Sequence, residues 1–132
     1  MRRYIAIALL FVCGLALAAE ARKAIPKEFL GYWGNNSMSC QDLRVDLRAI
    51  RIEPQRINRF VNSSEDEISG KVLAVATSGK LELAVILEFR GGGETWIEAR
   101  QFLLSADMNT MTDITGRQDG MVFKRCNKTS QK

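Results

Sequence analysis

Glu82, Glu88, Glu94 and Glu98 are the residues of this chain best spaced for acid–base work. On strands, even spacing sets each pair, 82 with 88 and 94 with 98, on one face. Two carboxylates on one barrel face are the apparatus of glycoside hydrolysis. Solvated strand faces carry the same spacing far more often, and the rest of the chain gives catalysis no support. The chain has no histidine. That excludes Ser–His and Cys–His nucleophiles, histidine-ligated metals and a histidine base. No catalytic residue, cofactor site or metal site is therefore assigned, and the chain reads as non-enzymatic.

The other suggestive clusters have plainer readings. Glu65-Asp66-Glu67 lacks the alternating oxygen ligands and the glycine of a calcium loop, so it reads as a solvated hairpin. Gly91-Gly92-Gly93 lies between two strand patterns, with no helix N-terminus to aim amides at a phosphate; it reads as a hairpin turn. Asn35, Asn62 and Asn127 each open an Asn-x-Ser/Thr triplet, which matters only in a glycosylating host. Arg44, Arg48, Arg51, Arg56 and Arg59 crowd one stretch, with Asp46 and Glu53 among them. They read as solvated faces and loops, or as contacts to an anionic envelope component. Trp33 and Trp96 are the large aromatic anchors, suited to the core or to the rim of a binding mouth.

Residues 1–21 carry the signature of an export signal. Arg2 and Arg3 precede an apolar run from Ile5 to Ala18, and small residues at Ala16, Ala18, Ala19 and Ala21 offer cleavage after Ala18 or Ala21. The run is shorter than the roughly 20 residues needed to span a bilayer, so no stable membrane insertion is expected after cleavage. Residues 22–132 then form one domain in the periplasm or outside the cell, and the short, alanine-rich signal looks bacterial. Lys plus Arg number 19 against 15 Asp plus Glu. Losing Arg2, Arg3 and Glu20 with the signal leaves 17 against 14. An excess this small and dispersed is no nucleic-acid footprint.

The elements that must position these side chains are strands. Ile25 to Leu30 predicts a helical or 3₁₀ turn, with Pro26 placed to open it and Gly31 to close it. Strands are then expected over 32–36, 47–52, 56–61, 67–77, 81–89, 95–104, 110–115 and 121–126. The clearest is 81–89, where Leu81, Leu83, Val85, Leu87 and Phe89 alternate with Glu82, Ala84, Ile86 and Glu88. Trp96, Phe102 and Leu104 share one face of the next strand. The strand over 67–77 is expected to be weakened or bulged at Gly70, and turns are expected at 36–42, 53–55, 62–64, 78–79, 91–93 and 106–109.

Eight short strands in hairpin succession predict an all-β, eight-stranded antiparallel up-and-down barrel, since closure removes exposed edges. Cys13 leaves with the signal. Cys40 and Cys126 remain as an even pair in an exported chain, which reads as a disulfide. In a closed meander the first and last strands are neighbours, so that bond would lock the seam.

Phe29-Leu30-Gly31-Tyr32-Trp33, followed by a cysteine, resembles the opening of small exported bacterial β-barrel proteins of largely uncharacterised function. Gly91 to Trp96 and Phe123-Lys124-Arg125-Cys126 are similar to segments of the same group. The opening also resembles that of Inh-type periplasmic protease inhibitors, and lipocalins share Gly-x-Trp; a lipocalin-like barrel is the fold this implies. In the Inh-type inhibitors the segment before the barrel enters the protease cleft, and Arg22 to Lys27 would occupy that position. The expected function is a small non-enzymatic binding protein. Its partner would be another extracytoplasmic protein, such as a protease or lysozyme, or an envelope component. The alternatives are a carrier holding a small apolar ligand inside the barrel and a structural or stress-related envelope protein.

Overall fold

The computed structural model describes residues 23–34, 40, 49–60, 67–116 and 120–126. The export signal, most of the expected turn at 36–42, Arg44, Arg48, Glu65, Asp66 and the three Asn-x-Ser/Thr triplets lie outside the described residues. A 3₁₀ turn at Lys27–Phe29 leads into β1 (Gly31–Gly34), β2 (Ile50–Glu53), β3 (Arg56–Phe60), β4 (Glu67–Ser78), β5 (Glu82–Gly91), β6 (Glu94–Leu104), β7 (Thr110–Asp113) and β8 (Met121–Arg125). Every neighbouring pair is antiparallel, and β1 pairs with β8, so the sheet closes into an eight-stranded barrel in chain order. Among the described residues no helix is long and apolar enough to cross a membrane.

Side-chain alternation decides which face closes inward. On β5, Leu83, Val85, Leu87 and Phe89 are buried, while Ile86 between them is exposed. Their partners across the ladders carry the inward face around the barrel: Phe102 opposite Leu83, Trp96 opposite Phe89, Val75 opposite Val85. With Trp33, Ile50, Ile52, Ile57, Leu104, Met111 and Phe123 they form one apolar core.

β4, β5 and β6 are much longer than the others, and β4 must change neighbours along its length. Glu67 to Lys71 pair with β3, and Gly70 to Ser78 pair with β5. The register shift that helps it turn falls between Val72 and Ala74, not at Gly70 as the sequence suggested. Gly70 has a different role. The Phe89 ring crosses its α-carbon so closely that a β-carbon there would lie 2.6 Å from two ring atoms. The β5–β6 hairpin turns on Gly92 and Gly93, both at positive φ, the backbone that matches strand twist in two-residue hairpins.

One end of the barrel is latched. The buried Phe29 of the 3₁₀ turn plugs it, and the Trp33 indole N–H donates to the Phe29 carbonyl at 3.0 Å. Arg125, paired across the seam with Trp33, lays its guanidinium 4.2 Å from that ring's centre. It donates to the carbonyls of Leu30 (2.8 Å), Glu28 (2.6 Å) and Met108 (2.8 Å). Gly31 takes φ +126°, a backbone that favours glycine, and a β-carbon there would make only an ordinary 3.5 Å contact with an Arg125 nitrogen. The Ile25 amide donates to Pro54 in the β2–β3 turn at 2.8 Å. The seam itself is short, with Trp33 opposite Arg125 and Gly34 opposite Lys124. Beside it Cys40 and Cys126 form the disulfide, with α-carbons 5.1 Å apart.

Candidate functional site

The opposite end is a mouth. It is the end served by the β1–β2, β3–β4, β5–β6 and β7–β8 connections, and here the inward face turns from apolar to charged. Arg59 follows Ile57 on the inward face of β3. Glu98 and Arg100 lie between Trp96 and Phe102 on β6, and Asp113 follows Met111 on β7. Period 2 therefore aims all four into the barrel, although the strands that carry them are far apart in sequence.

Together they form an alternating ion network. Arg59 grips Glu98 with both terminal nitrogens, at 3.0 and 3.2 Å. Arg100 donates to the same carboxylate at 2.9 and 3.2 Å and reaches Asp113 at 3.2 Å. The Trp96 indole N–H adds a bond to Glu98 at 3.0 Å, and its ring stacks on Phe89 with centroids 5.6 Å apart. Phe89 also carries the Arg59 guanidinium, 4.3 Å from its centre. Burial alone would raise the Glu98 carboxyl; hydrogen bonds from Trp96, Arg100 and Arg59, with the Arg59 charge, outweigh it and hold the group below its ordinary value.

Glu98 is thus a fixed anion and no proton donor at neutral pH. A group with a depressed folded pKa contributes stability above its unfolded pKa and loses it as pH falls through the folded value. Glu98→Gln is expected to cost about 2 kcal/mol at pH 7, the scale of hydrogen bonds to a charged partner. The difference from wild type should shrink as pH drops below about 4, measured by urea unfolding across pH. A constant difference down to pH 2 would deny the network that role.

Beneath the network lies a cavity of about 160 Å³. Its walls are Ile50, Ile57, Leu87, Phe89, Phe102 and Phe123; Arg59, Arg100, Asp113 and Met121 stand at the rim. The size matters, since a dry apolar void of about 150 Å³ suffices for a benzene-sized guest. Arg59, Arg100 and Asp113 at the rim, with Glu98 behind them holding both arginines, balance two cations against two carboxylates, so the network has no net charge yet is rich in both donors and acceptors.

The residues singled out from sequence scatter. Of the four glutamates, Glu98 faces inward, while Glu82 and Glu88 sit opposite Leu103 and Ile97 on the outer face and Glu94 is exposed at the β5–β6 turn. They do not converge as a hydrolytic pair. The arginine stretch disperses likewise. Arg51 lies over Tyr32, 5.9 Å from the ring centre, and approaches Glu53; Arg56 is exposed; Arg59 enters the mouth. The two tryptophans divide between the two readings, Trp33 wholly buried at the latch and Trp96 half-buried in the mouth. Arg100 and Asp113 were not anticipated. The available signal was a charged pair, Glu98 and Arg100, on the same face as Trp96, Phe102 and Leu104.

Fold and site define a closed antiparallel eight-stranded barrel, latched at one end and holding an ion-ringed apolar cavity at the other. No family model, curated protein or solved structure matches the chain.

Proposed function

We propose that this is an exported, non-enzymatic binding protein that takes a small, mostly apolar molecule with a neutral polar end into the mouth of its barrel. The cavity carries this reading: apolar walls would hold the body of the guest, and the rim would meet its polar end. Neutrality of that end follows from the network. A carboxylate would have to take the arginines from Glu98, which already occupies them at 2.9 to 3.2 Å. A hydroxyl or amide can share donors and acceptors without displacing either ion. Phenols and short alcohols are the fitting class. The Cys40–Cys126 bond suits an oxidising compartment, which supports export to the periplasm or beyond.

The test is calorimetric titration of residues 22–132 with phenols, short alcohols and the matching carboxylates. Saturable binding of the neutral compounds is expected, weaker binding of the carboxylates, and loss of binding when Leu87→Trp fills the cavity. Absence of saturable binding across all three classes would sink the proposal. Recognition of another extracytoplasmic protein, including inhibition of a protease or lysozyme, is a second reading. The exposed Leu73, Ile86, Leu103 and Val122 on the outer wall favour it. Recovery of one stoichiometric partner from periplasmic extract, lost on Ile86→Lys, would support it.

A further inference from the structure

The two carboxylates of the mouth differ in how much accepting capacity they have left. Glu98 receives five N–H bonds: two from Arg59, two from Arg100 and one from the Trp96 indole. A carboxylate has about four lone-pair sites, so Glu98 has none to spare. Among the described residues, Asp113 accepts at Oδ1 only from the Thr115 amide, at 2.9 Å, and at Oδ2 only from Arg100, at 3.2 Å. About half of its capacity is open. Asp113 also lines the cavity, whereas Glu98 stands behind the arginines.

The arginines supply the complementary half. Arg100 turns three N–H groups to the two carboxylates, and Arg59 turns two to Glu98. A guanidinium has more than three to give, and both side chains line the cavity. The polar end that fits must therefore donate and accept within one small group, as a hydroxyl does. Below the rim, Phe89, Phe102 and Phe123 make up half of the six apolar walls. Such rings pack an aromatic guest edge-to-face or offset. A phenyl ring nearly fills a void of this size, so the polar end can be little more than a single oxygen.

We infer that Asp113 selects the guest: it accepts the hydroxyl hydrogen of a small monocyclic phenol, while Arg100 or Arg59 donates to the phenol oxygen. This rests on the cavity being the binding site and narrows its ligand class. Phenols surpass alkanols there on two grounds. The more acidic phenol O–H is the stronger donor, and bonds to an ionised acceptor are the strong ones. The flat ring also meets aromatic walls that a saturated ring uses less well. Asp113 is in place before any guest arrives. Its Oδ1 is held by the Thr115 amide, and the Thr115 hydroxyl accepts from the Gln101 amide of β6 at 2.7 Å. An acceptor fixed in advance loses little freedom on binding.

The experiment is calorimetric titration of the oxidised 22–132 chain, and of its Asp113→Asn variant, with phenol, toluene, cyclohexanol and benzoate. Toluene has the shape of phenol without the hydroxyl. Wild type is expected to bind phenol about 30-fold more tightly than toluene and about tenfold more tightly than cyclohexanol. In Asp113→Asn the preference for phenol over toluene should shrink to about threefold. The same variant should bind benzoate about tenfold better than wild type does, because it frees an Arg100 N–H and leaves the network one positive charge in excess. A gain of that kind cannot come from a damaged fold. Should Asp113→Asn fail to fold, wild type decides alone. Its affinity for fluorinated phenols, which differ little in size, must rise with their acidity while they stay un-ionised. A flat series overturns the assignment. So does equal binding of phenol and toluene by wild type, or an unchanged preference in Asp113→Asn; in those cases the cavity remains the site. If none of the four compounds saturates, the cavity reading falls and the role of Asp113 falls with it.

Discussion

Breaking the Cys40–Cys126 bond is expected to lower the melting temperature by at least about 15 °C. The bond spans 86 residues of sequence. In the chain-entropy model, releasing a loop of that length gives the unfolded state about 4.5 kcal/mol. Net stabilities of domains are about 5–15 kcal/mol, so the loss is a large fraction of the whole. The position of the bond adds to the effect. It lies beside a seam whose ladder joins Trp33 and Gly34 to Arg125 and Lys124, with the Cys126 amide donating to the Tyr32 carbonyl at 2.8 Å. Few main-chain bonds close the barrel there, and the covalent link keeps them in register. Thermal melts with and without reductant, and of the Cys40→Ser/Cys126→Ser variant, measure this. A shift under about 3 °C in both would mean that the cross-link contributes little.

Trp33→Ala is expected to cost about 3–5 kcal/mol in urea unfolding, the range for large-to-small changes at aromatic core positions. Trp33 is wholly buried, with Phe29 among the other fully buried core side chains. Its indole N–H satisfies the Phe29 carbonyl, and its ring supports the Arg125 guanidinium. Alanine would remove the ring, strand that carbonyl and leave the arginine over a void. Trp33→Phe separates these contributions. It keeps an aromatic face but loses the donor, and should cost about 1–3 kcal/mol. If Trp33→Ala costs under about 1 kcal/mol, Trp33 is not what holds the latch together.

The barrel was legible in the sequence because each strand buries one face, and that leaves a period-2 trace. Leu83, Val85, Leu87 and Phe89 show it without interruption. Paired glycines marked the β5–β6 turn because positive φ at both central positions suits little else. The Cys40–Cys126 disulfide was legible as an even pair of cysteines left in a chain with an export signal. Gly70 misled because a glycine inside a strand signals either a bulge or a close approach, and only packing against Phe89 distinguishes them. The ion network was out of reach for a related reason. Arg59, Glu98, Arg100 and Asp113 sit on three strands, and single-strand alternation names the face of each without saying which faces meet. Charges also count against an inward assignment in any hydrophobic pattern, so Glu98 and Arg59 read as solvated faces and Arg100 and Asp113 drew no reading at all. They are tolerable inside only because they are together.

The two ends of the barrel also differ in where the backbone passes. The chain comes in beside Pro54, through Ile25, and goes out past Tyr32, through Cys126, both on the plugged side. Anything joined to either flank, whether an affinity handle, a surface linker or a fused reporter, would therefore hang from the back of the molecule. Immobilised through either flank, the protein would hold its opening out toward the solution.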